Sequence, residues 1–367
     1  MNIDGLLQAV WYRRKPLWLF LLLVPLSALF ALIVRLRRAA YGRGFFSSVR
    51  LSVPVIVIGN ITVGGTGKTP FVIWLAQWLQ TKGWRVGIVM RGYGGQSTHW
   101  PRDVQADTPH TEVGDEAVLL AQRTAAIVVA GPDRAAAARR AVELGADFVL
   151  SDDGLQHYRL ARDVEIAVVD AARLLGNGWL LPAGPLREPR SRLTTVDLIV
   201  RTQRAAATNV DDQRINSPSF GQMSVPSGAD RRAGPPNVTA IARIAEAVSL
   251  TGDGRRTLES FRGGRVHAIA GIGNPEAFFD ALRALGLDID GRALPDHAAA
   301  SRADIIFDDE MPVLMTQKDA VKCRHLADER HWAVPLDVEL SEADAAAVER
   351  LIRQLLQLPR ISHAPRY

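Results

Sequence analysis

A glycine-rich loop at residues 62–69 limits most strongly what this sequence can fold into. The loop reads TVGGTGKT, and an apolar, β-branched run precedes it at 53–58. A run compatible with a helix follows at 70–82. This order of strand, glycine-rich loop and helix is the context that a phosphate-binding loop requires. We therefore predict a P-loop within an α/β protein that binds a nucleotide.

The residue types in the loop explain how it would bind phosphate. Its glycines can adopt backbone angles that other residues avoid, so successive N–H groups can point into one concavity. Lys68 would reach the β- and γ-phosphates of ATP, and the Thr69 hydroxyl would hold Mg²⁺. The usual pattern begins with glycine where this chain has Thr62, so a plain glycine-rich turn is the alternative. The predicted nucleotide-binding residues are Thr62, Val63, Gly64, Gly65, Thr66, Gly67, Lys68 and Thr69.

An uncharged run at 17–34 reads LWLFLLLVPLSALFALIV. As a helix it would span about 27 Å, just short of the hydrocarbon core of a bilayer. A cleaved signal peptide is one alternative, but the arginines at 35–38 are the wrong flank for a cleavage site. A buried core helix is another, but such a helix is rarely apolar on every side. We predict a membrane anchor over 1–38, which either spans the bilayer or lies in it.

The composition of the chain indicates the compartment in which the protein works and the kinds of partner it binds. A chain of 367 residues is long enough for two lobes, and its single cysteine, Cys323, cannot form an internal disulfide. The net charge of +5 would suit nucleic acid, an anionic membrane or a phosphorylated substrate. No stretch interleaves aromatic and basic residues as nucleic-acid-binding sequences do. We expect an anionic membrane surface as a partner, no nucleic acid and no obligate protein partner.

Short apolar strands alternate with helical runs between residues 53 and 169. This pattern predicts a mostly parallel sheet with helices on both faces. The chain then becomes polar and rich in proline, which predicts a linker or variable edge at 206–237. Strand and helix patterns restart after it. The predicted domains are the anchor at 1–38, a P-loop domain at 39–205, the linker at 206–237 and a smaller α/β lobe at 238–367.

Acidic residues follow one of the predicted strands. In parallel sheets ligands bind beyond the carboxyl ends of the strands, and Asp152 and Asp153 lie just after an apolar run at 148–150. Beside a P-loop, such a carboxylate is the expected partner of Mg²⁺, although an Asp-Asp-Gly turn is the alternative. Asp115 could be a catalytic base or could simply favour a helix N-terminus. His297, in a polar turn, could be an ordinary surface histidine.

Two patterns in the second lobe have competing interpretations. Lys318 and Asp319 follow a predicted strand at 312–315, as in the base-reading motif of P-loop GTPases, although the spacing is imperfect. Asp319 could instead cap a helix. The pair Gly271 and Gly273 lacks the third glycine of a dinucleotide site, so a plain strand-to-helix turn is the favoured interpretation.

The motifs taken together point to one family. They are the apolar N-terminal run and the segments 59–70 (GNITVGGTGKTP), 91–94 (RGYG), 113–116 (VGDE), 152–157 (DDGLQH), 296–297 (DH) and 316–323 (TQKDAVKC). This combination resembles the tetraacyldisaccharide 4'-kinase family of the lipid A pathway over nearly the whole chain. Thr62 is part of that family's loop. Two residues depart from the family pattern: Ala117 lies where proline is frequent, and Gln317 lies where glutamate is frequent.

The resemblance implies transfer of the γ-phosphate of ATP to the 4'-hydroxyl of a tetraacylated glucosamine disaccharide 1-phosphate. The reaction would take place on the cytoplasmic face of the bacterial inner membrane, where the lipid substrate is embedded. The resemblance assigns Lys68 to the phosphates, Asp115 as general base with His297 in support, and Mg²⁺ to Thr69, Asp152 and Asp153. It also places Arg91, Arg134, Gln156 and His157 near the substrate or the phosphates.

A different class of function remains open from the sequence. A membrane-tethered P-loop NTPase could act as a switch or targeting factor and hydrolyse nucleotide without a small-molecule acceptor. Asp115 favours the kinase, since NTPase switches more often position their water with glutamine.

Overall fold

The computed structural model describes residues 3–13, 15–205, 234–295 and 301–357, and all statements below concern these residues. The helices are α1 (Ile3–Gln8), α2 (Leu17–Gly42), α3 (Lys68–Thr81), α4 (His110–Val113), α5 (Asp115–Arg123), α6 (Arg134–Glu143), α7 (Glu276–Ala284), α8 (Arg302–Ile305), α9 (Gln317–Cys323) and α10 (Glu342–Gln357). A π-helical turn, Ala9–Arg13, continues α1, and short 3-10 turns occupy Arg190–Thr194, Leu258–Phe261 and Arg324–Leu326.

The strands form two sheets. They are β1 (Val55–Gly59), β2 (Val86–Met90), β3 (Arg102–Val104), β4 (Ile127–Ala130), β5 (Phe148–Asp152), β6 (Val164–Asp170), β7 (Leu198–Arg204), β8 (Asn237–Ile244), β9 (Ala247–Ser249), β10 (Arg255–Arg256), β11 (Arg265–Ala270), β12 (Asp288–Ala293), β13 (Val313–Thr316), β14 (His331–Val334) and β15 (Leu336–Leu340). The large sheet has the order β15-β8-β7-β6-β1-β5-β2-β4-β3, and the small one β10-β9-β14-β13-β11-β12.

The large sheet is parallel except at its two edges, where β3 and β15 run antiparallel to their neighbours. Its central strands β1, β2 and β5 are buried at every position, as expected for a parallel sheet covered on both faces. Side chains alternate between two cores. Ile56 and Ile58 face a core that includes Phe71 of α3, whereas Val57 faces a core that includes Ala138 of α6. The predicted α/β architecture is confirmed.

The chain crosses between the two sheets twice. Strand β8 pairs in parallel with β7, and β15 pairs antiparallel with β8, so both belong to the large sheet. The strands of the small sheet lie between Ala247 and Val334. The start predicted for the second lobe, residue 238, therefore falls inside a strand of the first sheet, and the two sheets do not divide at that residue.

Helix α2 contains the apolar run and extends to Gly42, with Pro25 inside it. Among the described helices, α2 is the one long and apolar enough to cross a membrane, and 6% of its most apolar window is buried. Leu21 and Leu22 are 59% and 64% exposed. The alternative of a buried core helix is therefore wrong, because a core helix would cover these side chains with protein.

Candidate active site

The glycine-rich loop connects β1 to α3 at the carboxyl edge of the large sheet. Gly67 adopts the left-handed conformation with φ of 76°, and α3 begins at the next residue. A Cβ atom on Gly67 would lie 3.0 Å from Cγ2 of Thr202, at the end of β7. The Thr202 hydroxyl donates a hydrogen bond of 2.7 Å to the carbonyl of Thr66. The neighbouring strand thus supports the loop, and its close approach requires glycine at position 67.

Lys68 points into the site. Its Nζ donates to Oδ1 of Asn60 at 3.1 Å and lies 3.3 Å from Oδ1 of Asp153, and its side chain is 15% exposed. Asn60 is fully buried and donates in turn to the carbonyl of Gly64 at 3.3 Å. The loop, its lysine and the residue after β1 therefore form one hydrogen-bonded unit. In a P-loop this arrangement holds the lysine where terminal phosphates bind.

Asp152 ends β5, the strand that pairs with β1, and its residue is 3% exposed. Burial, followed by the nearby charge of Glu116, raises the pKa of Asp152 to about 7. Its Oδ1 is buried and has no hydrogen-bond partner among the described residues. A carboxylate oxygen left unpaired at this edge suits a divalent cation, which would favour the charged form.

No group of three or more His, Cys, Asp or Glu side chains in the described segments could hold a metal by itself. This fits Mg²⁺, which is usually bound by one or two protein oxygens together with nucleotide phosphates and water. The half-buried Thr69 lies in the first turn of α3 and supplies the hydroxyl expected of the loop. Thr69 and Asp152 therefore fit this ion.

Asp153 is held between two cations. It adopts a positive φ of 48°, and Arg187 Nη1 lies 3.1 Å and 3.0 Å from its two carboxylate oxygens. Burial alone would raise the pKa of Asp153, but Lys68 and Arg187 outweigh burial and lower it to about 2. Asp153 thus orients the lysine of the loop, and an arginine from the proline-rich segment after β6 joins the site.

Asp115 begins α5 and is 6% exposed. Its Oδ1 accepts a hydrogen bond of 2.9 Å from the N–H of Glu116. Lys318, from the second lobe, places its Nζ 3.9 Å from Oδ2 of Asp115 and 3.6 Å from Oε1 of Glu116. Because Glu116 also acts on the pKa of Asp152, this cluster lies on the same edge as the P-loop. A lysine of one lobe therefore meets a buried carboxylate of the other.

The base-reading interpretation of Lys318 and Asp319 is not supported. Asp319 is 1% exposed, and its Oδ2 accepts hydrogen bonds from the N–H of Gly271 and the hydroxyl of Thr316, at 2.8 Å and 2.6 Å. A Cβ atom on Gly271 would lie 2.7 Å from Oδ1 of the same carboxylate. Asp319 thus fixes a turn in the second sheet, which also explains Gly271 as a plain turn glycine. Thr316 caps α9 by accepting from the N–H of Asp319.

The residues predicted near the substrate take two kinds of position. Arg91 is exposed after β2, whereas Arg134 is 3% exposed and donates to the carbonyls of Gly131 and Asp152 at 2.9 Å and 3.3 Å. Burial lowers the pKa of Arg134 to about 10. Burial, with the charge of Arg134, lowers the pKa of His157 to about 4, so this imidazole is neutral at pH 7.

Gln156 connects the segment after β5 to two other parts of the site. Its Nε2 donates to the carbonyl of Asn60 at 3.1 Å and to Oε1 of Glu188 at 2.8 Å. Glu188 is 1% exposed and also accepts from the hydroxyl of Tyr158 at 2.8 Å. The predicted substrate residue Gln156 therefore holds the loops together in this structure. His297 lies outside the described residues.

Sequence reasoning missed several residues of the site. Asn60 and Glu116 belong to motifs that resemble the family, but nothing in their type assigns them a contact with Lys68 or Lys318. Arg187 lies in a segment without periodicity, PAGPLREPR, where no pattern separates one arginine from the next. Only the folded chain shows which of these arginines faces Asp153.

Comparisons with known proteins agree over almost the whole chain. A family model described as Tetraacyldisaccharide-1-P 4'-kinase matches residues 19–357. The chain is 46% identical over 355 residues to the tetraacyldisaccharide 4'-kinase of Nitrosococcus oceani, covering 96% of each chain. It is 45% identical over 357 residues to that of Alkalilimnicola ehrlichii, covering 97% of this chain and 99% of the relative.

A solved structure agrees with these sequence comparisons. The crystal structure of LpxK from Aquifex aeolicus in complex with ATP is similar with a TM-score of 0.72 and 27% identity. The match covers 90% of this chain and 98% of the solved chain.

Proposed function

The chain belongs to the tetraacyldisaccharide 4'-kinase family, and from that premise we propose how its residues carry out the reaction. The enzyme phosphorylates a lipid A precursor at the 4' position and takes the phosphate from ATP. The observation that carries the proposal is the convergence of Lys68, Asp152 and Asp115 at one edge of the large sheet. The predicted kinase function is confirmed over the NTPase switch.

The first step is to grip the nucleotide. The loop amides and Lys68 bind the β- and γ-phosphates, and Asp153 with Asn60 holds the lysine toward them. Arg187 shares the carboxylate of Asp153, so it places a second cation near the phosphates. Thr69 and Asp152 would hold Mg²⁺, which would supply positive charge to the transferring phosphate. The charges and the burial of these side chains support these roles.

The second step is to activate the acceptor. A sugar hydroxyl is a weak nucleophile, so a base must accept its proton during attack. Asp115 is a buried carboxylate on this edge, and Nζ of Lys318 lies 3.9 Å from its Oδ2. We assign Asp115 as this base. The assignment of His297 as its support rests on the family resemblance alone.

The lipid carries its own phosphate, which arginine recognises well because its planar fork binds two oxygens at once. Arg91 is exposed at the edge of the site and can meet this phosphate. The terminal nitrogens of Arg134 donate hydrogen bonds to the carbonyls of Gly131 and Asp152. We therefore assign Arg134 to holding the strand ends in place. We assign the neutral His157 to the same wall of the site.

The N-terminal helix brings the enzyme to its substrate. Contacts between α2 and the P-loop domain extend from Phe20, whose ring lies 5.4 Å from that of Trp179, to Tyr41, whose ring lies 5.6 Å from that of Tyr158. Between them, Ser27 donates to the carbonyl of Leu180 at 2.5 Å. These contacts cover about 30 Å of helix. We therefore propose that α2 lies along the domain, with its exposed leucines in the cytoplasmic leaflet of the inner membrane.

The test is transfer of labelled γ-phosphate from ATP to a tetraacylated glucosamine disaccharide 1-phosphate in mixed micelles. The wild-type enzyme should consume ATP only when this acceptor is present. Lys68→Ala should abolish transfer and weaken ATP binding, because it removes the charge at the loop. ATP hydrolysis that is equally fast without the lipid would contradict the proposal and favour a nucleotide switch.

A further inference from the structure

A turn after β6 brings one more arginine to the phosphate loop. Strand β6 pairs with β1, so its carboxyl end lies beside the loop. Oδ1 of Asp170 accepts hydrogen bonds from the N–H groups of Ala172 and Arg173 at 2.8 Å and 3.1 Å. The N–H of Leu174 bonds to the carbonyl of Asp170 at 2.8 Å, which closes the turn. Arg173 is therefore placed by the backbone of the sheet itself.

The guanidinium of Arg173 lies over the third residue of the loop. A Cβ atom built on Gly64 would be 3.7 Å from Nη1 of Arg173, and no other described group outside the chain neighbours of Gly64 comes within 4 Å. Gly64 adopts φ of 97°, and the side-chain amide of Asn60 donates to its carbonyl at 3.3 Å. In P-loop NTPases the loop backbone and its lysine bind the β- and γ-phosphates. A cation over Gly64 is thus a cation next to those phosphates.

The π-helical turn Ala9–Arg13, near the N-terminus, contacts this arginine. Arg173 lies 5.5 Å from the ring centroid of Tyr12, in the π-helical turn that precedes α2. Burial raises the pKa of the Tyr12 phenol, and the charge and hydrogen bond of Arg173 act in the opposite direction. Trp11, next to Tyr12, donates to the carbonyl of Pro182 at 2.8 Å and accepts from the N–H of Asn177 at 2.8 Å. The segment is therefore seated on the P-loop domain.

The partners of Arg173 differ from those of the other arginines in the site. Arg187 is paired with Asp153, and Arg134 bonds two backbone carbonyls. Within the described segments no carboxylate forms an ion pair with Arg173, whose guanidinium meets an aromatic ring and the loop instead. A guanidinium has more N–H donors than the contact with Tyr12 uses, so donors remain for an anion.

We propose that Arg173 is an arginine finger supplied in cis, held over the P-loop by Tyr12. As the γ-phosphate transfers, negative charge spreads over its oxygens, and a cation at this point stabilises the transition state more than bound ATP. Tyr12 is a positioning residue, because it acts through Arg173. Because Tyr12 lies only five residues before the first residue of α2, the seating of α2 on the domain is linked to the chemistry at the phosphates. The inference rests on the kinase function proposed above.

The test uses the full-length enzyme in mixed micelles with the lipid acceptor. The variants are Arg173→Ala, Arg173→Lys, Tyr12→Leu and Tyr12→Phe, with the exposed Arg139 on α6 changed to alanine as the matched control. For each variant kcat and the KM values for ATP and lipid are measured separately. Binding of MgADP with aluminium fluoride, which mimics the transferring phosphate, is compared with binding of MgADP with beryllium fluoride, which mimics bound ATP.

Arg173→Ala should lower kcat by about 10³-fold, as other arginine fingers do, with the KM for ATP within about threefold of wild type. It should bind the beryllium fluoride complex and lose the aluminium fluoride complex. Arg173→Lys should recover little, because an ammonium lacks the planar fork. Tyr12→Leu should lower kcat about fivefold with the lipid KM unchanged. Tyr12→Phe should lower kcat less than Tyr12→Leu does, since it keeps the ring but loses the hydrogen bond to Arg173. Arg139→Ala should change nothing.

Three results would overturn the proposal: a kcat for Arg173→Ala within threefold of wild type, a KM for ATP that rises as much as kcat falls, or full retention of the aluminium fluoride complex. If Arg173→Ala does not fold, Arg173→Lys decides, because it keeps charge and most of the volume, and wild-type kcat in it would refute the finger. The fluoride comparison needs no lipid, so it tests Arg173 even if wild-type enzyme fails to phosphorylate the acceptor, which would count against the proposed function instead.

Discussion

Replacing Asp115 by asparagine tests the assignment of the base while keeping the shape of the site. Asparagine can still accept the hydrogen bond from the N–H of Glu116, which is 2.9 Å long in the structure. It loses the charge that faces Lys318 at 3.9 Å, an attraction of about 4 kcal/mol at an effective dielectric constant of about 20. Desolvation offsets most of this, and Lys318 keeps Glu116 at 3.6 Å. We expect a loss of about 1 kcal/mol in the free energy of unfolding.

The expected effect on catalysis is much larger. A positioned general base contributes about 10²- to 10⁴-fold to rate, so kcat should fall by a factor in this range, equivalent to about 3–5 kcal/mol in the activation free energy. ATP binding should stay within about twofold, because Lys68 is held by Asp153 and Asn60 and not by Asp115.

The assay measures transfer of labelled γ-phosphate to the lipid, ATP affinity by calorimetry and thermal unfolding in the same detergent. Glu143→Gln, an exposed carboxylate on α6 with a side chain 64% exposed, is the matched control and should keep wild-type kcat. A kcat for Asp115→Asn within about threefold of wild type would refute the base assignment. A loss of ATP affinity as large as the loss of kcat would show that Asp115 serves nucleotide binding instead.

Three further changes test other parts of the account. Gly67→Ala should abolish ATP binding, because φ at this position is 76° and the new Cβ would lie 3.0 Å from Cγ2 of Thr202. Calorimetry measures the affinity, and a wild-type affinity for ATP would contradict this prediction. Arg187→Met should cost about 1 kcal/mol of unfolding free energy at pH 7, a value reduced for the 38% exposure of the Asp153 side chain. The folded-state pKa of Asp153 is lowered from 3.8 to about 2, so the difference in unfolding free energy between wild type and Arg187→Met should hold above pH 4 and shrink as the pH falls toward 2. Urea titrations measure this difference, and an unchanged value at pH 3 would contradict the prediction. Ser27→Leu should release α2, because it overpacks a site 2% exposed, and limited proteolysis should then cut between α2 and the domain faster than in wild type.

The parts of the fold that follow local rules were predictable. The strand before the loop, the loop and α3 lie within two residues of their predicted bounds, because glycine angles and β-branched runs act locally. Strands β7 and β8 were harder to predict from the sequence. The run 198–204 ends in polar side chains, and both strands approach an edge where one face meets solvent, so their hydrophobic pattern is weak.

The site divides in the same way. Lys68, Asp115 and Asp152 carry motifs that can be identified along the chain, and each lies at the predicted edge. Contacts between distant segments leave no local pattern. Arg187 contacts Asp153 across 34 residues of sequence, and Lys318, on α9, lies beside Asp115 on α5. The long side chains of arginine and lysine reach several positions, so only the tertiary packing of the chain selects their partners.

The central claim is that one cavity holds the terminal phosphates of ATP between Lys68 and the carboxylate that activates the lipid hydroxyl. A crystal structure of the enzyme with Mg²⁺ and a non-hydrolysable ATP analogue measures this directly. The account predicts a γ-phosphate oxygen within hydrogen-bonding distance of Lys68 Nζ, with the metal on Asp152 and the Asp115 carboxylate facing the same phosphorus. A nucleotide bound away from the 62–69 loop, or an Asp115 side chain turned away from the γ-phosphate, would contradict it.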